Sequence, residues 1–221
     1  VYVTNYEGFE WHPYNYGFSD NLNIKSLFRV NDSTILAGTS GDGLYYTTNN
    51  AKSWSKNNNP ELTSIFINDI IGDNAGNIYS GTIGKGIYKS SDGGMTWIRQ
   101  YGDGIDNKNI TSMAVTTDNI IYAGTSQNGM FIKSNVGDWR RVDNFPVGAS
   151  QIFDIEFIRE SQDIIIVSTN IGIVLSFSNG SQWINANSNL QSPAKVVYYG
   201  PDSTLYSGLK LIKGVFESID Y

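Results

Sequence analysis

The sequence predicts an all-β fold, a β-propeller of four-stranded antiparallel blades, on the basis of two repeated markers and a strand-like apolar period. The five tryptophans follow one another at intervals of 43, 43, 42 and 44 residues: Trp11, Trp54, Trp97, Trp139 and Trp183. A second marker, Gly-Thr or Ser-Thr, recurs at nearly the same interval and begins at Gly38, Gly81, Gly124 and Ser168. Two markers that share one period indicate a structural repeat of about 43 residues.

Within one repeat the apolar residues alternate with a period of two. Residues 77–82, 86–90 and 96–99 are predicted strands, and glycine-containing turns separate them. With one further apolar strand per repeat, such as residues 110–115, each unit holds the four strands of a propeller blade. One tryptophan per unit is expected to fill the gap between neighbouring blades. The chain is therefore predicted to be a single propeller domain, 1–221, with approximate repeats 1–16, 17–59, 60–102, 103–145, 146–188 and 189–221.

The number of blades stays open at this level. About five repeats fit the chain, and residues 1–5 and 215–218 both match the third strand of a blade. A five-bladed ring completed by the two ends is one interpretation. The other is part of a ring of six to eight blades, with the remainder of the larger propeller elsewhere. The start at Val1, inside a predicted strand, favours a mature or excised piece of a longer protein.

Composition excludes several classes of function. Fifteen basic and 21 acidic residues give a net charge of −6, which disfavours binding to nucleic acids and anionic membranes. No apolar segment is long enough to span a bilayer, so direct membrane insertion is not expected. The chain has no cysteine and a single histidine, His12, so few side chains could ligate a transition metal. We therefore expect neither a metal nor another cofactor.

One segment carries a resemblance to a known motif. Residues 90–97, Ser-Ser-Asp-Gly-Gly-Met-Thr-Trp, resemble the Asp-box (BNR) motif Ser-x-Asp-x-Gly-x-Thr-Trp. The other tryptophans end eroded copies, and residues 218–221 resemble a copy that is cut off midway. The structural residues that the resemblance implies are Ser90, Asp92, Gly94, Thr96 and Trp97, with Trp11, Trp54, Trp139 and Trp183 in the other copies.

The resemblance implies a hairpin turn between the third and fourth strands of each blade. It places the chain near the sialidase-like, photosystem II assembly factor-like and YVTN-type propellers, which include many activities. Members of such families are commonly exported, so it also implies an extracellular, cell-surface or periplasmic location. A sialidase needs three arginines on the ligand carboxylate, and Phe28-Arg29-Val30 matches the corresponding element only faintly. The resemblance therefore implies the fold more strongly than an activity.

Other glycosidases require two carboxylates across a cleft, and several aspartates fall in predicted loops. Aspartate is also common in turns for conformational reasons, so we assign no catalytic residue and favour a non-enzymatic role. Loops on one face of a rigid scaffold commonly carry binding residues. The candidate ligand-binding residues are Tyr14, Tyr16, Phe18, Asp20, Asp42, Lys85, Tyr101, Asp103, Asp106, Gln127 and Asn128.

The predicted function is that of a binding or scaffolding propeller with a polysaccharide or protein ligand. Mixed aromatic and amide or carboxylate side chains suit sugar rings and hydroxyls as well as the hot spot of a protein partner. Two alternatives remain: a glycosidase fragment that uses loop carboxylates, and the sensor propeller of a larger receptor.

Overall fold

The computed structural model describes residues 1–4, 8–20, 22–158, 164–187, 194–200, 204–209 and 215–217. An N-terminal sheet pairs β1 (Tyr2–Thr4) with β2 (Trp11–Pro13). The two complete sheets that follow are blade I, with β3 (Ile24–Arg29), β4 (Ile35–Thr39), β5 (Leu44–Thr47) and β6 (Ser55–Lys56), and blade II, with β7 (Ile67–Gly72), β8 (Ile78–Thr82), β9 (Ile87–Ser90) and β10 (Ile98–Arg99).

Two more complete sheets and a three-stranded sheet follow in the chain. Blade III contains β11 (Ile110–Val115), β12 (Ile121–Thr125), β13 (Met130–Lys133) and β14 (Arg140–Arg141). Blade IV contains β15 (Ile152–Ile158), β16 (Ile164–Thr169), β17 (Gly172–Ser176) and β18 (Ile184–Asn185). The last sheet contains β19 (Ala194–Tyr199), β20 (Leu205–Leu209) and β21 (Val215–Glu217), and the predicted box at 218–221 lies outside the described residues.

The sheets follow one another in the manner of propeller blades. Every strand pair is antiparallel, and within each sheet the strands lie side by side in chain order. The first strands contact one another in sequence, β3 with β7, β7 with β11, β11 with β15 and β15 with β19. Among the described residues no comparable contact joins β19 to β3. This arrangement confirms the predicted all-β propeller class and gives an arc of about five blades.

Helical structure in the described part of the chain consists of one 3-10 turn, Ile105–Asn107. No helix there has the length and apolar character that a membrane crossing requires.

The threonine of the repeated Gly-Thr marker closes the turn between the second and third strands. Its hydroxyl donates to a carbonyl at the far side of the turn. The described residues contain four such bonds: Thr39 Oγ1 to Gly43 O (2.7 Å), Thr82 Oγ1 to Gly86 O (2.8 Å), Thr125 Oγ1 to Gly129 O (2.8 Å) and Thr169 Oγ1 to Gly172 O (2.8 Å). Each hydroxyl is thus satisfied although its residue is buried. The marker therefore has a local cause, the closure of one hairpin in each blade.

The tryptophans pack between blades, with one exception. Trp97 lies in a core cluster with Leu36 of blade I and Tyr88 of blade II, and only 1% of its surface is exposed. Trp54 and Trp139 are similarly buried, and Trp183 is half-buried against the cluster of blades III and IV. Trp11 is 57% exposed, so the expectation of a buried tryptophan in every repeat is wrong there. The reason is that no described sheet precedes the N-terminal sheet and covers it.

Side chains, rather than strand pairing, join the first strands of neighbouring blades. Each of these strands has a register irregularity, and a serine or aspartate beside it accepts a hydrogen bond from the next blade. The four bonds are Ile70 N to Ser26 Oγ (3.0 Å), Met113 N to Asp69 Oδ2 (2.7 Å), Ile155 N to Ser112 Oγ (3.2 Å) and Val197 N to Asp154 Oδ2 (3.2 Å). Backbone N–H groups left unpaired at the irregularities are satisfied in this way.

Candidate functional site

Two sets of segments lie on one face of the propeller, and we call this surface the loop face. It consists of the turns between second and third strands (40–43, 83–86 and 126–129) and the loops between successive sheets (14–23, 57–66, 100–109 and 142–151). Backbone bonds hold each turn to the adjacent loop: Gly43 N to Ile65 O (2.8 Å), Gly86 N to Lys108 O (3.1 Å) and Gly129 N to Ser150 O (2.8 Å). Loops bonded in this way form a defined surface on the blades.

Tyr16 and Tyr101 occupy equivalent places on the loop face. Each precedes a glycine, and each tyrosine carbonyl accepts the backbone N–H of the tryptophan 38 residues later, at 2.8 Å for Trp54 and 3.4 Å for Trp139. A Cβ on Gly17 or Gly102 would overlap the carbonyl oxygen of that tryptophan, and both glycines have positive φ. The backbone of both loops is therefore closely constrained. The tyrosine side chains themselves are 80% and 60% exposed.

Tyr14 and Phe18, which flank Tyr16, take part in packing. The ring of Phe18 stacks on Trp54 at 4.8 Å and meets Tyr45 at 5.0 Å, so that Phe18 is half-buried. The carbonyl of Tyr14 accepts the indole N–H of Trp54 at 3.0 Å, and its side chain is half-buried against the same cluster. These two aromatic residues support the loop that carries Tyr16.

Asp42 lies at the centre of a polar cluster in blade I. Its carboxylate accepts hydrogen bonds from Ser19 Oγ (2.6 Å) and Tyr45 Oη (2.5 Å), and it forms an ion pair with Lys56. These hydrogen bonds, that from Lys56 above all, lower the pKa of Asp42 to about 2. Asp20 is exposed beside this cluster. The charge of Asp42 is therefore already compensated within the protein.

The predicted residues of the second group lie around the loop 100–109. Asp103 Oδ2 accepts the backbone N–H of Arg141 at 3.0 Å and thereby ties the loop to blade III. Asp106 accepts a hydrogen bond from the side chain of Asn107 at 3.0 Å. Lys85 and Gln127 are exposed at the tips of neighbouring turns, whereas Asn128 is half-buried and its N–H binds Thr125 Oγ1 at 2.8 Å.

Arg99 belongs to this group, although the sequence analysis did not select it. Its guanidinium donates to Lys85 O (3.2 Å), to Asn107 Oδ1 (3.2 Å) and to the carbonyl of Asp106, and it lies 5.9 Å from the ring of Tyr101. Arg99 therefore joins the turn of blade II to the loop 100–109. Its position two residues after Trp97 was a usable signal, because Lys56 and Arg141 also follow their tryptophans by two residues.

A surface cleft of about 380 Å³ lies beside this group. Arg141 at the end of β14 and residues of the loop 142–151 form most of its wall, and Gly129 and Met130 of blade III complete it. Arg141 lines the cleft and also borders the loop 100–109 through its bond to Asp103. Sequence reasoning missed the cleft because its shape depends on how the loop folds back over the turn of blade III.

The predicted site residues therefore fall into two groups on the loop face. Tyr14, Tyr16, Phe18, Asp20 and Asp42 surround blade I. The second group lies at blades II and III: Lys85, Tyr101, Asp103, Asp106, Gln127 and Asn128. No hydrogen bond or ion pair among the described residues joins the two groups.

The carboxyl groups with raised pKa values lie away from these loops, on the first strands of the blades. Burial raises the pKa of Asp69 to about 6, and it also raises the pKa of Asp154. Burial together with the nearby charge of Asp154 raises the pKa of Glu156. Asp69 and Asp154 both accept backbone hydrogen bonds between blades, so their oxygens have structural partners. Over the described residues, no group of three or more acidic or histidine side chains is placed to hold a metal ion.

Comparisons with known proteins give structural neighbours only. No protein-family model matches the chain, and no curated protein is detectably similar in sequence. Among solved structures, the extracellular domain of a one-component system from B. thetaiotaomicron has a TM-score of 0.69 at 16% identity, over 89% of this chain and 27% of that one. PorZ, a surface component of the type-IX secretion system of Porphyromonas gingivalis, has a TM-score of 0.67 at 14% identity, over 88% of this chain and 32% of that one.

An ancestral GH74 enzyme is a third neighbour, with a TM-score of 0.63 at 16% identity, over 85% of this chain and 32% of that one. The chain thus spans about a third or less of the length of these three proteins. Structural similarity at such low sequence identity establishes a shared fold and nothing further. The four-stranded blades and these neighbours together make the chain a β-propeller protein.

Proposed function

We propose that this chain is a non-catalytic binding domain that recognises a polysaccharide or protein ligand through its loop face. The observation that carries the proposal is the pair Tyr16 and Tyr101, two exposed rings at equivalent positions on loops with constrained backbones. A tyrosine offers a large contact surface and a hydroxyl at small conformational cost, and a fixed backbone reduces the entropy lost on binding.

Location and architecture extend the proposal. Two of the neighbours are described as an extracellular domain and as a bacterial surface component, which supports an extracellular, cell-surface or periplasmic location for this chain. The open arc of first strands supports a place within a larger propeller, with the remaining blades supplied by further chain. Expression of the whole parent reading frame, followed by structure determination, tests both the blade number and the attached domains.

Membership of the Asp-box group is supported by the turn between β9 and β10. The carboxylate of Asp92 accepts hydrogen bonds from Ser90 Oγ (2.8 Å), Met95 N (3.1 Å), Thr96 N (2.9 Å) and Thr96 Oγ1 (2.6 Å). The indole N–H of Trp97 donates to Gly94 O at 3.0 Å. The five residues that match the motif are thus hydrogen-bonded to one another within one turn, which supports the resemblance.

The turn between β5 and β6 supports the same assignment with different residues. There Asn49 Oδ1 accepts bonds from Thr47 Oγ1 at 2.8 Å and from Ser53 N at 3.0 Å. Asn49 therefore takes the place that Asp92 holds in blade II.

The experiment compares variants on opposite ends of the blades. Tyr16→Ala and Tyr101→Ala remove the rings of the loop face, and Phe177→Ala removes a 49% exposed ring in the turn between β17 and β18. Binding is measured against immobilised neutral and acidic polysaccharides and against a displayed peptide library. Each tyrosine variant is expected to lose at least tenfold in affinity with an unchanged melting temperature, whereas Phe177→Ala binds normally. Loss of binding in Phe177→Ala alone would place the ligand at the other end.

Turnover separates this proposal from the glycosidase alternative. Product release from the same polysaccharides, abolished by Asp103→Asn or Asp106→Asn, would overturn the non-catalytic assignment.

A sensor propeller of a larger receptor is a second candidate. It is favoured by the neighbour that forms the extracellular domain of a one-component system. It uses the same loop face, so it requires the same binding result and, in addition, a signalling domain in the parent reading frame.

A further inference from the structure

Three equivalent cations on the fourth strands differ in how far the protein neutralises them. Lys56, Arg99 and Arg141 pair with Tyr45, Tyr88 and Phe131 of the adjacent third strands, so they hold the same position in blades I, II and III. In blade IV this position holds Asn185, opposite Val174. The three basic side chains therefore occupy equivalent positions in blades I, II and III.

The partners of these cations change from blade to blade. Lys56 forms an ion pair with Asp42. Within the described part of the chain, Arg99 is hydrogen-bonded only to neutral acceptors, two carbonyls and the amide of Asn107. Arg141 is exposed, and its guanidinium has no hydrogen-bond or ion-pair partner among the described residues.

The turn that faces each cation explains this change. Asp42 in blade I corresponds to Lys85 in blade II and to Asn128 in blade III, each three residues after the threonine that closes the turn. Blade I therefore supplies its own carboxylate, whereas blade II adds a second cation and blade III a neutral amide. The turns of blades II and III thus lack the carboxylate that pairs with the cation of blade I.

We infer, on the basis of the proposed loop-face binding function, that the ligand is an acidic polysaccharide. Its carboxylate binds the guanidinium of Arg141, while a sugar ring lies on Tyr101 beside Arg99. A guanidinium matches a carboxylate with two parallel hydrogen bonds. Tyr101, 60% exposed and 5.9 Å from Arg99, provides an adjoining aromatic surface. The cleft beside Arg141 gives a neighbouring sugar unit a concave surface.

The surrounding carboxylates favour a uronate-type sugar over a densely charged polyanion. Asp103, Asp106 and Asp143 border the same region and offset three of the four formal positive charges of Lys85, Arg99, Lys108 and Arg141. A surface with so small a net charge does not build the strongly positive potential that attracts nucleic acids or sulfated chains. Carboxylates beside a guanidinium can instead accept hydrogen bonds from sugar hydroxyls.

The test compares polygalacturonate with its fully methyl-esterified form on the 221-residue chain, with biolayer interferometry as the measurement. The free acid is expected to bind at least tenfold more tightly than the ester. Arg141→Gln is expected to lose at least tenfold in affinity for the free acid, and Arg141→Lys to lose less. Arg29→Gln, at the end of β3 away from the loop face, removes an exposed arginine that is already paired with Asp32 and leaves this affinity within twofold.

Other results would overturn the inference in distinguishable ways. Equal binding of acid and ester, abolished by Tyr101→Ala, would leave the loop-face function standing but remove the carboxylate. Binding of peptides but of no polysaccharide would also leave the loop-face function standing and would contradict the acidic sugar ligand. Tighter binding of dextran sulfate than of polygalacturonate, unaffected by Arg141→Gln, would show that the chain binds polyanions only by unspecific charge attraction. Binding of no polysaccharide and no peptide would sink the proposed function as well.

Discussion

Gly81 on the second strand of blade II lies directly against Ile110 on the first strand of blade III, and a Cβ at Gly81 would come within 2.6 Å of Ile110 Cγ2. The same arrangement recurs at neighbouring boundaries, at Gly38 with Ile67 and at Gly124 with Ile152. At the next boundary the pair is Ser168 and Ala194, and Ser168 Oγ donates to Ala194 O at 3.1 Å. Where the second strand has glycine, the first strand of the next blade therefore has isoleucine. Where the second strand has the larger serine, the next blade has the smaller alanine.

This matching of side-chain sizes predicts that a substitution in one blade can compensate for a substitution in the next. Gly81→Ser is expected to destabilise the protein by about 1–3 kcal/mol through overpacking, and Ile110→Ala by about 2–5 kcal/mol through cavity formation. The double variant recreates the pair found at 168 and 194, so it should cost less than the sum of the two changes by at least about 1 kcal/mol. Urea denaturation of the four proteins measures this coupling, and simple additivity would contradict the packing argument.

Asp69 predicts a dependence of stability on pH. Burial raises its pKa to about 6 from an ordinary value of 3.8, so folding favours the protonated form. The stability that Asp69 contributes is therefore complete below about pH 4 and is lost as the pH rises through 6. Ser26 and Ser112 hold the same place in other blades, so Asp69→Ser keeps an acceptor for Met113 N without the charge.

The difference in unfolding free energy between wild type and Asp69→Ser should therefore fall by roughly 1–3 kcal/mol between pH 4 and pH 7. Denaturation curves at four pH values measure it. Asp154, which raises the pKa of Asp69 through its charge, is unchanged in both proteins. A difference that is constant with pH would contradict the assigned shift.

Trp97 and Trp139 are equally buried but differ at the indole nitrogen. Trp97 Nε1 donates to Gly94 O at 3.0 Å, whereas Trp139 Nε1 is buried without a partner among the described residues. Trp97→Phe should therefore cost about 1 kcal/mol more than Trp139→Phe, because only the first loses a hydrogen bond. Gly94 O keeps its second bond, from Asn57 Nδ2 at 2.9 Å. Thermal and urea unfolding of both variants check the order, and the reverse order would refute the explanation.

Asp92 predicts how far the turn of blade II tolerates substitution. Asp92→Ala removes a carboxylate that accepts hydrogen bonds from four donor groups, and it should destabilise the chain by about 1–3 kcal/mol. Asp92→Asn should cost less than half as much, because Asn49 performs the same role in blade I. Asp138→Ala is the control, since the exposed Asp138 accepts no hydrogen bond among the described residues. Melting temperatures measure all three, and equal losses for Ala and Asn at position 92 would argue against the bonding role.

The sequence was more informative about the fold than about the candidate site. The period of the tryptophans and of Gly-Thr predicted the blades because each marker has a local cause, an indole between sheets or a hydroxyl closing a turn. Phe18 and Tyr14 could not be separated from Tyr16 by pattern. All three are aromatic residues of one loop, and their burial depends on where Trp54 lies.

The sequence by itself determined the unit, four strands in about 43 residues, because period-two apolarity and turn residues act over short distances. The tertiary structure decided which charges are already paired and which are free: Asp42 is neutralised by Lys56, whereas Arg141 is left exposed. The physical reason is that an ion pair depends on which turn faces which strand. That relation is set by the packing of a blade, between residues far apart along the chain.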